Sequence, residues 1–414
     1  MERERNPIIR IWGISIGLAL AIYGAVSIAL GLQKPEAQAH GWCAAWLCPE
    51  EFSDRRTSDL LHESAGAGAA GAVSELERAL VFDAASAYRW ANLGEGFLNA
   101  GNLQSARYAF LHAVAAGPRN PAILMRAANF SFSDGDSRKM MQYGSAILRD
   151  PKLDDYYAPT FLTYARAGAA IDEILELGIP PERVPAQAFL RFLIGNTKGD
   201  RAGDAAAAWK WIAERGFQDD GLTGEYVGFL LRNHEGERAA EIWAGVNASG
   251  MRDYRRTNWV YNGSFEAAPR PSPLDWRIDA AQDVEAKRVA SEARDGRWAL
   301  ELIFDGRDNV EYHGVGQQIV LTKGRWRAEA FVRTDGITTD KGVGLRIYDP
   351  AEPQSLDARS QRLTGTQGWT KIEQSFDVQQ DTVVARIEVI REASLKFDSK
   401  IAGRAWIDSV EIHK

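Results

Sequence analysis

Residues 90–118 read WANLGEGFLNAGNLQSARYAFLHAVAAGP, and this stretch decides the fold of the middle of the chain. Small residues stand at Gly94 and Ala106, where two antiparallel helices can approach each other closely. A bulky ring such as that of Phe110 can fill the layer between one helix pair and the next. Pro118 ends the second helix because proline cannot continue the hydrogen-bond ladder. The stretch therefore predicts a hairpin of two packed helices.

The spacing of these residues resembles the tetratricopeptide repeat, whose pattern is W-x2-L-G-x2-Y…A-x3-F…A…P. The A-x3-aromatic spacing recurs at Ala205 with Trp209 and, 34 residues further on, at Ala239 with Trp243. The resemblance covers residues 66–250 and implies an all-α solenoid whose concave surface binds a segment of a protein partner. The positions that match the full pattern are Trp90, Leu93, Gly94, Phe97, Ala106, Phe110, Ala113 and Pro118.

One part of this region departs from the repeat. The segment from Tyr156 to Leu177 is helical in pattern but degenerate, and Pro180-Pro181 interrupts the chain. We expect an irregular hairpin there. The rings and alanines of the repeats are interpreted as packing residues of a helical core, not as a cofactor site.

The N-terminal segment, residues 1–34, has the features of a membrane anchor. No charged residue occurs from Ile11 to Leu32, and a helix of that length spans about 33 Å, enough for the hydrocarbon core of a bilayer. Arg3, Arg5 and Arg10 precede this run, so the positive-inside rule predicts a cytoplasmic N-terminus and an exported body. These features predict a single-pass protein of the bacterial inner membrane with a periplasmic body. The A-x-A form at residues 37–39 leaves a cleaved signal peptide as the alternative.

Residues 35–65 form an exported linker that contains the only two cysteines of the chain, Cys43 and Cys48. In an oxidising compartment such a close pair predicts a disulfide, with two reduced buried thiols as the alternative. A zinc site is disfavoured because His40 and His62 complete no recognised ligand spacing.

Composition and motifs exclude several classes of function. The formal net charge of −7 provides no basic excess for neutralising nucleic acid phosphates. Gly66, Gly68 and Gly71 match G-x-G-x-x-G, but no strand pattern leads into them, so a dinucleotide site is not indicated. The chain has no G-x-S-x-G, H-E-x-x-H or Walker motif. We therefore predict that it is not an enzyme, with no catalytic residues and no cofactor apart from a structural calcium ion considered below.

At about Arg255 the sequence changes from helical patterns to short alternating runs separated by Gly, Asp and Pro. Seven such runs in residues 255–414 predict an all-β antiparallel sandwich. Alternation places Trp326 and Ile347 on the core side of their strands. The predicted strands are Trp298 to Phe304, Val315 to Leu321, Arg325 to Thr334, Val343 to Asp349, Thr370 to Val378, Val383 to Ile390 and Ala405 to Ile412.

This domain resembles the carbohydrate-binding, galactose-binding-like jelly rolls. The resemblance rests on N-G-S-F-E at 262–266, on Gly368-Trp369 and on A-W-I-D-S-V-E-I at 405–412. In that family the opening Glu and the closing Asp often lie near a structural calcium ion, which maps to Glu266 and Asp408 here. The alternative is a pair of hydrogen-bonded carboxylates, because two such groups alone do not provide six to eight oxygen ligands.

Residues on the strand sides opposite the core suggest a surface for a sugar. Aromatic rings can stack on the apolar face of a pyranose while polar neighbours bind its hydroxyl groups. Equally, a loop could cover Phe331. The candidate glycan-binding residues are Phe331, Arg333, Arg346 and Tyr348, with Tyr312 as a weaker one.

The sequence thus predicts a multidomain, non-enzymatic envelope scaffold anchored in the membrane. Its repeats would bind a protein partner and its sandwich a polysaccharide, in the assembly or export of surface polysaccharide. The alternative is a glycan-processing enzyme, a hydrolase or lyase, targeted by the sandwich. That alternative is disfavoured because no further domain is present to hold two catalytic carboxylates.

Overall fold

The computed structural model describes residues 67–196, 202–246, 253–397 and 399–414. The chain divides into two compact units, one ending at Phe192 and one comprising Leu193–Lys414. The predicted membrane run from Ile11 to Leu32 and the pair Cys43 and Cys48 lie outside the described residues. Among the helices that are described, none combines the length and the apolar character needed to cross a membrane.

The first unit is built from antiparallel helix pairs. Polar residues such as Ser86 and Asn102 cap the helices by accepting hydrogen bonds from the first-turn amides. The helices are α1 Ala67–Phe82, α2 Ala87–Asn99, α3 Leu103–Ala116, α4 Pro121–Ser133, α5 Ser137–Leu148, α6 Tyr157–Arg166, α7 Ile171–Glu173 and α8 Arg183–Asn196. A 3₁₀ turn, Pro151–Tyr156, precedes α6, and α7 continues as the π-helical turn Ile174–Gly178.

The predicted repeat is confirmed in the hairpin of α2 and α3. A Cβ atom added at Gly94 would lie 2.8 Å from the ring of Phe110, so only glycine allows this approach of the two helices. Ala106 is completely buried beside it. The ring of Phe110 stacks on that of Phe130 in the next helix pair, with centroids 4.7 Å apart. The core of this hairpin thus continues into the next helix pair.

The irregular segment is organised around Tyr164 of α6. Its hydroxyl group donates to the carbonyls of Met141 and Gly178, at 3.3 and 3.1 Å. Burial raises the pKa of this phenol far above its usual value. A side chain at Gly144 would clash with the same hydroxyl. The expected departure from the repeat is therefore present, with a buried tyrosine joining three segments.

The second unit takes up the end of α8 and continues through further helices into a sheet. Its helices are α9 Ala202–Glu214, α10 Asp220–Arg232 and α11 Gly236–Val246. Its strands are β1 Arg277–Ile278, β2 Val284–Val289, β3 Ala299–Asp305, β4 Tyr312–Ile337, β5 Gly344–Tyr348, β6 Asp357–Arg359, β7 Gly365–Arg391 and β8 Ala402–His413. All pairings are antiparallel, in the order β2-β3-β8-β4-β7-β5-β6, with β1 on β4.

The strands β4 and β7 each run through both layers of a sandwich. The first part of β4 pairs with the second part of β7, which also pairs with β5; we call this group, with β1 and β6, layer 1. The second part of β4 pairs with β8 and with the first part of β7; with β2 and β3 these form layer 2. The register shifts between Thr322 and Gly324, where a φ of 142° at the glycine allows the strand to pass between layers.

This arrangement corrects the list of predicted strands. The runs 315–321 and 325–334 are one strand, as are 370–378 and 383–390, while β1, β2 and β6 were not predicted. The face assignment is confirmed, because Trp326 and Ile347 belong to the buried core between the layers. Trp326 also donates its indole N–H to the carbonyl of Thr322, at 2.8 Å.

Helices α10 and α11 pack directly on the sandwich. A Cβ atom at Gly224 of α10 would lie 1.7 Å from the carbonyl oxygen of Pro271, and one at Gly236 of α11 would lie 3.3 Å from the side chain of Val320. The ring of Trp243 meets that of Tyr261 edge to face, at 5.2 Å. The compact unit therefore begins well before the change of composition at residue 255.

Candidate functional site

The outer face of layer 1 carries a polar cluster around one aromatic ring. Leu345 and Ile347 of β5 point into the core, so Arg346 and Tyr348 point outward. The pairing with β7 places Glu388 opposite Arg346 and Arg386 opposite Tyr348, and the pairing with β6 places Asp357 opposite Tyr348. We call Arg346, Tyr348, Asp357, Arg386 and Glu388 the Tyr348 patch.

Hydrogen bonds fix the side chains of the Tyr348 patch. The Tyr348 hydroxyl donates to Glu388 Oε1 at 3.0 Å, and Arg386 Nε donates to the same oxygen at 2.5 Å. Arg346 donates two bonds to Asp357, at 2.8 and 3.1 Å, and its guanidinium lies 4.1 Å from the centre of the Tyr348 ring. Each polar group is therefore held in one orientation.

The contacts of Asp357 and Tyr348 explain the direction in which the pKa of each is shifted. The hydrogen bond from Arg346 holds the pKa of Asp357 below its usual value, with a further contribution from Arg359. Burial, together with the charge of Glu388, raises the pKa of Tyr348. At neutral pH the patch thus presents an ionised Asp357 carboxylate, paired with Arg346, and a protonated Tyr348 phenol.

The pair Phe331 and Arg333 lies elsewhere. Both residues are on the part of β4 that pairs with β8 in layer 2, and both point away from the core. They are therefore on the opposite outer face from Tyr348, and the predicted single platform of Phe331 with Tyr348 is wrong. Alternation along a strand assigns a side chain to a face but does not say in which layer the strand lies.

A loop also covers Phe331. The guanidinium carbon of Arg294 lies 3.4 Å from the centre of the Phe331 ring. Arg333 pairs with Glu292 of the same loop, at 2.5 Å, and lies 4.8 Å from the ring centre of Trp406. The alternative in which a loop covers this ring is the arrangement found.

Tyr312 is a core residue, which corrects its assignment as a surface candidate. Its side chain is 1% exposed and its hydroxyl donates to the carbonyl of Asp279 at 2.6 Å. Its ring cannot reach a ligand on the outer face of layer 1.

Glu266 and Asp408 are brought together at one loop, residues 294–298. Glu266 Oε1 accepts hydrogen bonds from the amides of Arg297 and Trp298, at 2.8 and 2.9 Å. Asp408 Oδ2 accepts from the amides of residues 294 and 295, and its Oδ1 from that of residue 409. Burial raises the pKa of Asp408, and these amides oppose the shift. Three of the four carboxylate oxygens therefore cap this loop, and a structural calcium ion at Glu266 and Asp408 stays a prediction.

The first unit carries an apolar groove of about 600 Å³ between α1, α2 and α3. Trp90 lines it, with its ring 6.0 Å from that of Tyr108, and Tyr108 is 58% exposed. Val81 at the rim is 80% exposed. Aliphatic and aromatic side chains in this position are open to a partner. The groove residues are Glu77, Leu80, Val81, Ala84, Trp90, Leu93, Phe97, Gln104, Ser105 and Tyr108.

Sequence reasoning missed part of each site. Arg386 and Glu388 alternate with core residues along β7, so their outward direction was readable. Asp357 lies in a strand of three residues, which is too short to show a pattern. Trp90 was interpreted as repeat core, but it is half-buried and lines the groove.

No protein-family model matches this chain, and no curated protein matches its sequence. Solved structures resemble its two parts. The CBM22-1 xylan-binding domain from Paenibacillus barcinonensis Xyn10C is 12% identical, with 38% of this chain and 90% of that chain covered and a TM-score of 0.24. A family 16 carbohydrate-binding module is 16% identical, with 38% of this chain and 100% of that chain covered and a TM-score of 0.27.

The helical part has its own neighbours among solved structures. PilW, a type IV pilus biogenesis factor, is 16% identical, with 49% of this chain and 94% of that chain covered and a TM-score of 0.26. These likenesses concern the fold alone. The predicted combination of an all-α part built from helix pairs with an antiparallel β-sandwich is confirmed by the helices and the strand register described above.

Proposed function

We propose that this chain is a non-enzymatic scaffold that binds a neutral glycan at the Tyr348 patch and a protein partner through its helical repeats. One observation carries the first part: each guanidinium of the patch is already paired with a carboxylate, Arg346 with Asp357 and Arg386 with Glu388. A site of this kind offers fixed hydrogen-bond donors and acceptors without a spare positive charge, which suits hydroxyl groups better than anionic sugars.

The ring of Tyr348 supplies the apolar component of such a site. It is half-buried, and its hydroxyl is fixed by Glu388, so little conformational entropy is lost when a sugar binds. Beside the ring, the side chains of Glu388 and Arg386 lie over Gly316 of β4. A pyranose could contact the exposed part of the Tyr348 ring while its hydroxyls bond to these paired polar groups.

The test is binding of the full chain to an array of polysaccharides. Tyr348→Ala and Glu388→Gln should remove binding, whereas the control Phe331→Ala should keep it, because that ring lies on the other outer face of the sandwich. Melting curves of all three variants exclude unfolding as the cause. Absence of binding to every neutral glycan would refute the proposal, and loss of binding only in the Phe331 variant would move the site to layer 2.

For the protein partner we propose an apolar segment that inserts into the groove of the first unit. Val81 and Tyr108 leave apolar surface exposed at its rim, and burial of such surface is the main source of affinity for a peptide. Val81→Asp should abolish crosslinking of the partner in cells. The matched control is Val184→Asp on α8, which is 54% exposed and does not line the groove. Equal crosslinking by both variants would exclude the groove.

The location that we propose is the bacterial inner membrane, with the body outside the cytoplasm and a role in assembly or export of surface polysaccharide. The support is the uncharged run from Ile11 to Leu32 and the arginines before it. A reporter that functions only outside the cytoplasm should be active when fused after Lys414. Activity of a cytoplasmic reporter at that position would reverse the topology, and a mature chain beginning at His40 would show cleavage instead of anchoring.

A further inference from the structure

Three potential metal ligands share one spot on the outer face of layer 2, apart from the Tyr348 patch. Glu329 of β4 is paired directly opposite Glu411 of β8, and His413 is two residues further along β8 on the same face. One ligand atom from each of the three side chains lies within 4.8 Å of the others. Regular strand geometry therefore brings an imidazole and two carboxylates together.

Protein groups compensate the charges of this cluster only in part. Two carboxylates directly opposite each other on neighbouring strands repel and destabilise the pairing. Lys371 bonds to Glu329 Oε2 at 2.5 Å, which leaves Oε1 available. Within the described part of the chain, the side chains of Glu411 and His413 have no hydrogen-bond or ion-pair partner. A further cation is the simplest group that would resolve this repulsion.

We propose that Glu329, Glu411 and His413 bind a first-row divalent transition metal ion, with zinc as the probe. Imidazole combined with carboxylate selects zinc-like ions, whereas calcium prefers oxygen ligands alone. Three protein ligands leave a fourth tetrahedral position for water. Around a tetrahedral zinc ion the ligand atoms are about 3.4 Å apart. Modest side-chain rotations would bring the three ligand atoms from their present separations of up to 4.8 Å to that distance.

Space for that water is present beside the cluster. A polar cavity of about 290 Å³ has Glu411 in its wall, together with Asn258, Asn262 and Glu266. Solvent can thus reach Glu411 from this side. Bound metal would join the second part of β4 to β8 by coordination, in addition to their backbone hydrogen bonds.

Arg327 provides a sharp electrostatic test. It is exposed and lies opposite His413, so its positive charge opposes binding of a cation. Arg327→Gln should therefore tighten zinc binding, an effect that a purely structural role of the cluster would not produce.

The experiment is a calorimetric titration of the tag-free full chain with zinc, carried out with Cys43 and Cys48 replaced by serine to exclude thiol ligands. We expect about one ion per chain. His413→Ala and Glu411→Gln should each weaken binding by more than about 100-fold, since even outer-shell partners contribute about 10 to 100-fold. The controls are His313→Ala in layer 1 and Glu285→Gln, an exposed carboxylate beside Lys287 on β2. The absence of saturable binding, or equal loss in the controls, would overturn the proposal.

Discussion

Replacing Gly224 by alanine tests whether the last helix pair and the sandwich form one unit. An added Cβ atom would stand 1.7 Å from the carbonyl oxygen of Pro271, a backbone atom that cannot rotate away. Gly221, one turn earlier in the same helix, meets only the side-chain oxygen of Asp219, at 3.4 Å. The two positions thus share a helix but differ in their surroundings.

The expected magnitudes follow from two opposing terms. Alanine in place of a helical glycine stabilises by up to about 1 kcal/mol. A methyl group inserted into filled space costs about 1 to 3 kcal/mol, and the backbone obstacle at Gly224 puts the cost at the upper end. The Gly224 variant should therefore lose about 2 kcal/mol of unfolding free energy, and Gly221→Ala should gain up to about 1 kcal/mol.

Urea unfolding and amide hydrogen exchange of the full chain measure both effects. In the Gly224 variant, exchange should accelerate in α10, α11 and the segment around Pro271, because their contact is strained. Exchange should remain slow in α2 and α3. Equal stability of the two variants would show that α10 does not pack on Pro271 and that the helices are independent of the sandwich.

Three further predictions concern the sandwich. Trp326→Ala should cost about 3 to 5 kcal/mol in unfolding free energy, as other core truncations of aromatic residues do, whereas Phe331→Ala should cost clearly less because its ring is only half-buried. Burial raises the pKa of Asp275 to about 6, so the folded state binds the proton more tightly than the unfolded state does. The free energy of unfolding should therefore fall as pH rises from about 4 to 6. Asp275→Asn should flatten that slope in denaturation curves recorded at several pH values. Calcium chelation should leave the melting temperature unchanged because amides already occupy Glu266 Oε1 and both oxygens of Asp408. A drop that added calcium reverses would show that the ion is present.

The local sequence pattern was sufficient to predict most helices and strands. Which outward-facing side chains lie together on one face depends instead on long-range strand pairing. The spacing from Trp90 to Pro118 was sufficient for the helix pair because its contacts lie within one hairpin. Alternation in 325–334 and 343–349 gave the correct core faces. It could not show that these runs belong to different layers, because the layer is decided by the partner and not by the run itself: β8 and the first part of β7 for 325–334, the second part of β7 for 343–349.

The loop over Phe331 was equally beyond local reasoning. Its position depends on amides of residues 294 and 295 reaching Asp408, more than a hundred residues away in the chain. Nothing in the residues around Phe331 signals that contact. Exposure inferred from alternation is therefore an upper limit wherever a distant loop can cover a strand.

The position of β8 between β3 and β4 has a consequence for the order of synthesis. Strands β3 and β4 are neighbours in sequence, yet one edge of each pairs with β8. Strand β8 starts at Ala402, almost a hundred residues after β3 ends at Asp305. During translation or translocation both strands would emerge with open edges, and neither could be completed until the ribosome had passed residue 413. A stalled or truncated chain would present two unpaired β-edges, which are sites of aggregation. Quality-control chaperones should therefore bind this region of the nascent chain until β8 has been made.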